Sequence, residues 1–141
     1  MISDKQLNQF VNQLQEKQSR IMVVGLGYAG LPLADCIVKA GFKVVGYDTN
    51  INKVEMLIRG GSYLETISAV KVQELLDTGR FTVTSDISCE DPCDVYWVCV
   101  PTPLLNGAPA LDSFCAAITS IRTIATKPFL VVISSTSFPG T

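Results

Sequence analysis

Short runs of aliphatic, mostly β-branched residues alternate along this chain with longer stretches whose apolar positions recur every three or four residues. The short runs are Ile21–Val24, Lys43–Tyr47, Val95–Val100 and Phe129–Ile133, and each is apolar almost throughout, as a strand covered on both faces requires. Phe81 and Val83 alternate with threonines and predict one short, half-exposed strand. Between these lie helical patterns over Leu31–Ala40, Asn52–Arg59, about Ser68–Asp77, and Ser113–Thr126. Glycines stop the first three, at Gly41, at Gly60-Gly61 and at Gly79. The last helix turns Phe114, Ala117, Ile118 and Ile121 inward. Ahead of all of them, Ser3–Arg20 reads as a helix opened by a Ser3/Gln6 capping box. Leu7, Phe10, Val11 and Leu14 form its apolar stripe, which is expected to lie buried on the domain.

Apolar strands separated by helices imply an α/β fold: a doubly wound parallel sheet joined by right-handed crossovers, with the N-terminal helix (1–19) as an extra element. At 141 residues the chain makes one such domain, expected over 20–141. Composition narrows the classes further. Hydrophobic residues make up 48% and charged ones 17%, so a folded core is expected. The net charge of −2 comes from scattered residues and offers no basic footprint for nucleic acid. The polar N-terminus has no signal-peptide core. The longest uncharged apolar run, Ile21 to Ala34, is too short for a bilayer and is interrupted by glycines and Pro32. A cytoplasmic protein without membrane contact is the expectation. Five cysteines, with no histidine anywhere, argue for reduced thiols and against a metal site. The missing histidine also removes triad chemistry and the commonest general base.

The candidate chemistry sits where the first strand breaks. Gly25, Gly27 and Gly30 have the spacing G-x-G-x-x-G between a strand and a helix, and Asp48 ends the second strand. Gly25 permits the tight turn, Gly27 leaves room for a pyrophosphate, and Gly30 lets helix and strand pack closely. The helix N-terminus then presents free N–H groups to the phosphates. Asp48 is placed to accept from the adenosine ribose hydroxyls and to repel a 2′-phosphate, which favours NAD over NADP. Lys53, one turn into the next helix, is within reach of the adenosine side. Two further segments fall beyond the carboxyl ends of strands: Val100-Pro101-Thr102-Pro103, and Ser134 to Thr141 with its hydroxyl cluster, placed for the nicotinamide end.

Together, Gly-Leu-Gly-Tyr-Ala-Gly-Leu-Pro-Leu-Ala (25–34), Val-Pro-Thr-Pro (100–103) and Ser-Thr-Ser-Phe-Pro-Gly-Thr (135–141) resemble the UDP-glucose/GDP-mannose dehydrogenase family. Gly-Ser-Tyr-Leu-Glu (61–65), Thr-Pro-Leu (102–104) and Thr-Ser-Phe-Pro-Gly-Thr (136–141) resemble the branch that oxidises UDP-N-acetylhexosamines, with UDP-N-acetylglucosamine the expected sugar. The resemblance implies a Rossmann-type domain of an enzyme that converts C6 of a nucleotide sugar from alcohol to carboxylate with two NAD, through a cysteine thioester, for surface polysaccharide precursors. It implies that Gly25, Leu26, Gly27, Tyr28, Ala29 and Gly30 hold the pyrophosphate, and that Asp48 with Lys53 holds the adenosine end. Val100, Pro101, Thr102 and Ser135 would line the cofactor groove. Thr136 would stand near the reacting carbon and help position a water.

Where the family has Glu before Ser-Thr, this chain has Ser134; Ala29 replaces a Val; and Pro109-Ala110-Leu111-Asp112 loosens the family's Pro-Asp-Leu-Ser. The family's central helix, sugar-binding domain and nucleophilic cysteine are expected beyond Thr141. The chain alone is therefore expected to bind cofactor and to turn over little, with UDP-sugar contacts and any homo-oligomer contacts mostly supplied by the missing region. A non-catalytic NAD(H) sensor is the alternative, and a β-hydroxyacid-type dehydrogenase front half is a third reading.

Overall fold

The structure is a computed structural model that describes residues 2–136. The N-terminal helix α1 spans Asp4–Gln15, and Ser3 and Gln6 form the expected reciprocal capping box. The α/β alternation then runs β1 (Arg20–Val24), α2 (Gly30–Lys39), β2 (Lys43–Tyr47), α3 (Ile51–Ile58), α4 (Ala69–Asp77), β3 (Phe81–Thr84) and β4 (Val95–Val98). A two-stranded hairpin, β5 (Leu104–Leu105) with β6 (Ala108–Pro109), precedes α5 (Asp112–Ile124) and β7 (Leu130–Ile133). Five strands form one parallel sheet in the order β3-β2-β1-β4-β7. Successive strands step outward from β1 to one side and then from β4 to the other, so the topology reverses between β1 and β4. In open parallel sheets ligands bind outside the carboxyl ends of the strands at that reversal.

Alternation along β1 sends Ile21 and Val23 to one face and Met22 and Val24 to the other, and two cores result. One lies under α2 and includes Leu31, Ala34, Ile37 and Val38 together with Leu57, Val72 and Phe81. The other contains Tyr96 and Val98 of β4 against Ala117, Ile121 and Ile124 of α5. Both faces of the central strands are thereby closed, which is why those strands carry apolar residues at every position.

The structure departs from the sequence reading in four places. The first helix stops at Gln15, not Arg20. Lys17 takes the left-handed conformation (φ 57°), Gln18 N–H bonds the Gln13 carbonyl at 2.9 Å, and Lys17 N–H bonds that of Leu14 at 3.1 Å. This is a Schellman stop made without glycine, so the composition gives no sign of it. Nor is that helix buried: Phe10 and Leu14 pack against the core, while Leu7 and Val11 face solvent. β4 ends at Val98, because the chain turns away before Pro101, which has no N–H for a ladder. The last strand is half exposed, not buried, because β7 is the sheet's edge; Leu130 and Ile133 are 43% and 52% exposed. The hairpin, turned by Asn106 and Gly107 at positive φ, lies in a stretch where the pattern predicts no strand.

Candidate functional site

A crevice of about 860 Å³ opens at the carboxyl ends of β1, β2, β4 and β7. Its floor is the turn from β1 into α2. Gly25 adopts φ 95°, and a Cβ there would stand 2.9 Å from the Cys99 carbonyl oxygen, so β1 and β4 turn past each other only with glycine at this position. A Cβ on Gly30 would lie 1.7 Å from the Gly25 carbonyl oxygen, so the start of α2 is pressed onto the turn. Above Gly27 there is open space, with nothing within 4 Å of a Cβ position. Among the described residues, no hydrogen bond engages the N–H groups of Gly27, Tyr28 or Ala29. A gap over a small residue, with unspent donors at a helix N-terminus, suits a phosphate.

Of the residues picked from sequence, Gly25, Gly27, Tyr28, Ala29, Asp48, Lys53, Val100, Pro101, Thr102, Ser135 and Thr136 all line this crevice. Leu26 and Gly30 lie behind its wall. Leu26 is fully buried, its side chain seated over Gly46, where a Cβ would come within 2.9 Å of it. Gly30 is buried at the first position of α2. Ser137–Thr141, the rest of the predicted hydroxyl cluster, lies outside the described residues.

Asp48 sits at the β2 end with both carboxylate oxygens engaged by backbone. Oδ2 accepts from Leu26 N–H and Oδ1 from Asn50 N–H, each at 2.9 Å. Each oxygen keeps acceptor capacity for a ribose hydroxyl. The Lys53 ammonium stands 3.9 Å from Oδ2 and 5.3 Å from the centre of the Tyr63 ring. The Tyr63 hydroxyl in turn donates to the Leu26 carbonyl. At the other end, the Ser135 hydroxyl donates to the Val100 carbonyl at 2.8 Å, and the Trp97 indole N–H donates to Ser134 Oγ at 2.7 Å. The loops after β4 and β7 are thus tied together. Cys99 lines the wall, but burial pushes its thiol up, against a smaller opposing effect of the Ser134 hydroxyl, which makes it a poor nucleophile. Among the described residues no cluster of His, Cys, Asp or Glu could hold a metal, and no helix is long and apolar enough to cross a membrane.

Sequence reasoning missed the wall supplied by α5. Ser113, Ala116 and Ser120 face the crevice beside Ala117 of the inward stripe, and their small side chains leave its volume open. Helical periodicity marks the inward apolar stripe but carries no sign that the small-residue face beside it borders a cavity. Thr49 and Asn50, directly after Asp48, also line it.

Residues 19–141 match the UDP-glucose/GDP-mannose dehydrogenase family, NAD binding domain. The chain belongs to this family. As its NAD-binding domain it takes NAD as cofactor, and the crevice fits that ligand: room and free donors over Gly27, and a carboxylate at the far end. It is 34% identical over 123 residues to the UDP-N-acetyl-D-mannosamine dehydrogenase of Pyrococcus horikoshii, covering 86% of this chain and 29% of that protein. It is 35% identical to the UDP-N-acetyl-D-glucosamine 6-dehydrogenase of Pseudomonas aeruginosa, over 88% of this chain and 29% of that one. Among solved structures, the P. horikoshii enzyme superposes with a TM-score of 0.80, at 34% identity over 86% of this chain and 29% of that one. A ternary complex of GDP-mannose dehydrogenase from P. aeruginosa superposes with a TM-score of 0.79, at 31% identity over the same shares. This family member therefore spans under a third of the length of the relatives it matches.

Proposed function

We propose that this chain is the cofactor-binding domain of an NAD-dependent nucleotide-sugar 6-dehydrogenase that oxidises the C6 alcohol of UDP-N-acetylglucosamine to a carboxylate. The observation that carries the reading is the pairing of unengaged N–H groups at Gly27, Tyr28 and Ala29 with the Asp48 carboxylate across one open crevice. In this assignment the turn 25–30 takes the pyrophosphate, and Asp48 accepts from the adenosine ribose with Lys53 beside it. Val100, Pro101, Thr102 and Ser135 flank the nicotinamide end. NAD, when bound, supplies the electron acceptor for both oxidation steps. Thr136 stands across the sheet from Asp48, where its hydroxyl would position a water beside the reacting carbon. The sugar assignment draws on the Gly61–Glu65 segment and on relatives named for UDP-N-acetyl sugars.

On this reading the chain alone binds cofactor and turns over little. The relatives are more than three times its matched length, and burial pushes the Cys93 and Cys99 thiols up, away from the depressed pKa that a nucleophile needs. The proposed setting is the cytoplasm. Calorimetric titration of the chain should show NAD⁺ binding more tightly than NADP⁺. The full-length protein should reduce two NAD⁺ per UDP-N-acetylglucosamine and act more slowly on UDP-N-acetylmannosamine and UDP-glucose. Failure to bind either cofactor would overturn the site, and a faster rate on another sugar would overturn the substrate.

A further inference from the structure

The segment Gly61-Ser62-Tyr63-Leu64-Glu65 lines none of the crevice, yet it reaches the turn at the crevice floor from behind. Ser62 Oγ accepts from Leu64 N–H at 3.1 Å and donates to the Leu64 carbonyl at 3.2 Å, making a local turn. Leu64 is buried in the core under α2 and anchors that turn. Tyr63 is thereby held with its hydroxyl on the Leu26 carbonyl and its ring beneath the Lys53 ammonium.

We propose that Tyr63 is the positioning residue of the phosphate-binding turn: through the Leu26 carbonyl it aims the Gly27 amide into the crevice. The peptides here are trans and planar, so the carbonyl of residue 26 and the N–H of residue 27 point in opposite directions. With the carbonyl drawn back to Tyr63, the amide must face forward, into the space left open over Gly27. The preceding peptide is fixed in the same way, because Leu26 N–H is held by Asp48. Two successive peptides are therefore locked by side chains from outside the turn, while glycine on either side would otherwise leave them free to rotate. Donation into the carbonyl also polarises that peptide and strengthens its N–H as a donor. Burial and the nearby Asp48 carboxylate push the Tyr63 phenol upward, so it stays a donor throughout the working pH range.

The proposal rests on the reading that a pyrophosphate sits on this turn, and the test separates the two. Adenosine, ADP-ribose and NAD⁺ are titrated into the 141-residue chain and into its Tyr63→Phe variant, which keeps the ring under Lys53 and loses only the hydroxyl. ADP-ribose and NAD⁺ should bind about 5- to 10-fold more weakly to the variant, the scale of one lost hydrogen bond. Adenosine, which has no phosphate, should bind both proteins equally, and the Gly27 amide resonance should move between them. Tyr63→Leu, which also removes the ring, should weaken adenosine as well. Unchanged ADP-ribose binding in Tyr63→Phe, or an equal loss for adenosine, would overturn the positioning role. Wild-type chain that fails to bind ADP-ribose would overturn the crevice reading beneath it.

Discussion

At the scale of single residues, the site turns on how Asp48 is held. A free carboxylate at the end of β2 would be a flexible charge, but this one accepts from Leu26 N–H and Asn50 N–H and has one orientation. Charge-assisted bonds of this kind are shorter and stronger than neutral ones. Replacing Asp48 with Ala orphans two backbone donors and, on the proposed assignment, removes the ribose acceptor. NAD⁺ affinity should fall by roughly 1.5–3 kcal/mol, the range for hydrogen bonds to charged groups. The loss for NADP⁺ should be smaller. The repulsion of a 2′-phosphate disappears, and Lys53, relieved of its partner at 3.9 Å, becomes free to pair with it. Titration of both cofactors into Asp48→Ala checks this: a discrimination ratio equal to that of the wild type would show that Asp48 does not select the cofactor.

Among the elements, the start of α3 carries the most information for the site. Asn50 caps it by accepting from the N–H groups of Asn52 and Lys53, while its own N–H holds Asp48. One residue thus ends the β2 loop, starts the helix and orients the carboxylate. Asn50→Ala, which keeps the backbone N–H on Asp48, should cost about 0.5–2 kcal/mol in denaturant unfolding, whereas Asn50→Asp, which also keeps the cap, should recover most of the stability. The same segment shows what the sequence makes legible. Asp48 at a strand end and Lys53 one turn onward follow from periodicity and a known spacing, because strand and helix starts are set by local pattern. Tyr63 does not follow, since its contact with Leu26 crosses 37 positions and depends on how α3 packs. The α5 wall does not follow either: Ser113 and Ser120 become crevice residues only once α5 is laid beside β4 and β7. The early stop of α1 was illegible because Lys17 occupies a left-handed position where glycine is the expected signal.

Across the whole molecule, function and cohesion occupy opposite ends of the sheet. The crevice lies at the carboxyl ends of the strands, and the amino ends are clamped by charges. Arg20 N–H donates to Asp94 Oδ2 at 2.8 Å, its guanidinium pairs with Glu90 at 2.7 Å, and Lys127 pairs with Asp94 Oδ1 at 2.7 Å. The starts of β1, β4 and β7 are joined in this way. Cys93 lies just before β4, 1% exposed, with its N–H donating to the Tyr96 hydroxyl at 3.0 Å. Burial pushes its thiol up from 9.0 to about 11, and this gives the molecule a pH limit remote from its site. The folded state holds that proton more tightly than the unfolded state. Its contribution is therefore complete below pH 9.0 and is lost as the pH rises through about 11. The Cys93 contribution to stability should be level up to about pH 9 and then decline. Cys93→Ala should decline less steeply over that window, whatever its stability at neutral pH, because the buried thiol no longer opposes ionisation. Thermal midpoints of both proteins from pH 7 to 11 test the claim, and parallel curves would refute it. NAD⁺ affinity at pH 7 should be the same in the two proteins, since a neutral thiol at the amino ends of the strands touches no part of the crevice.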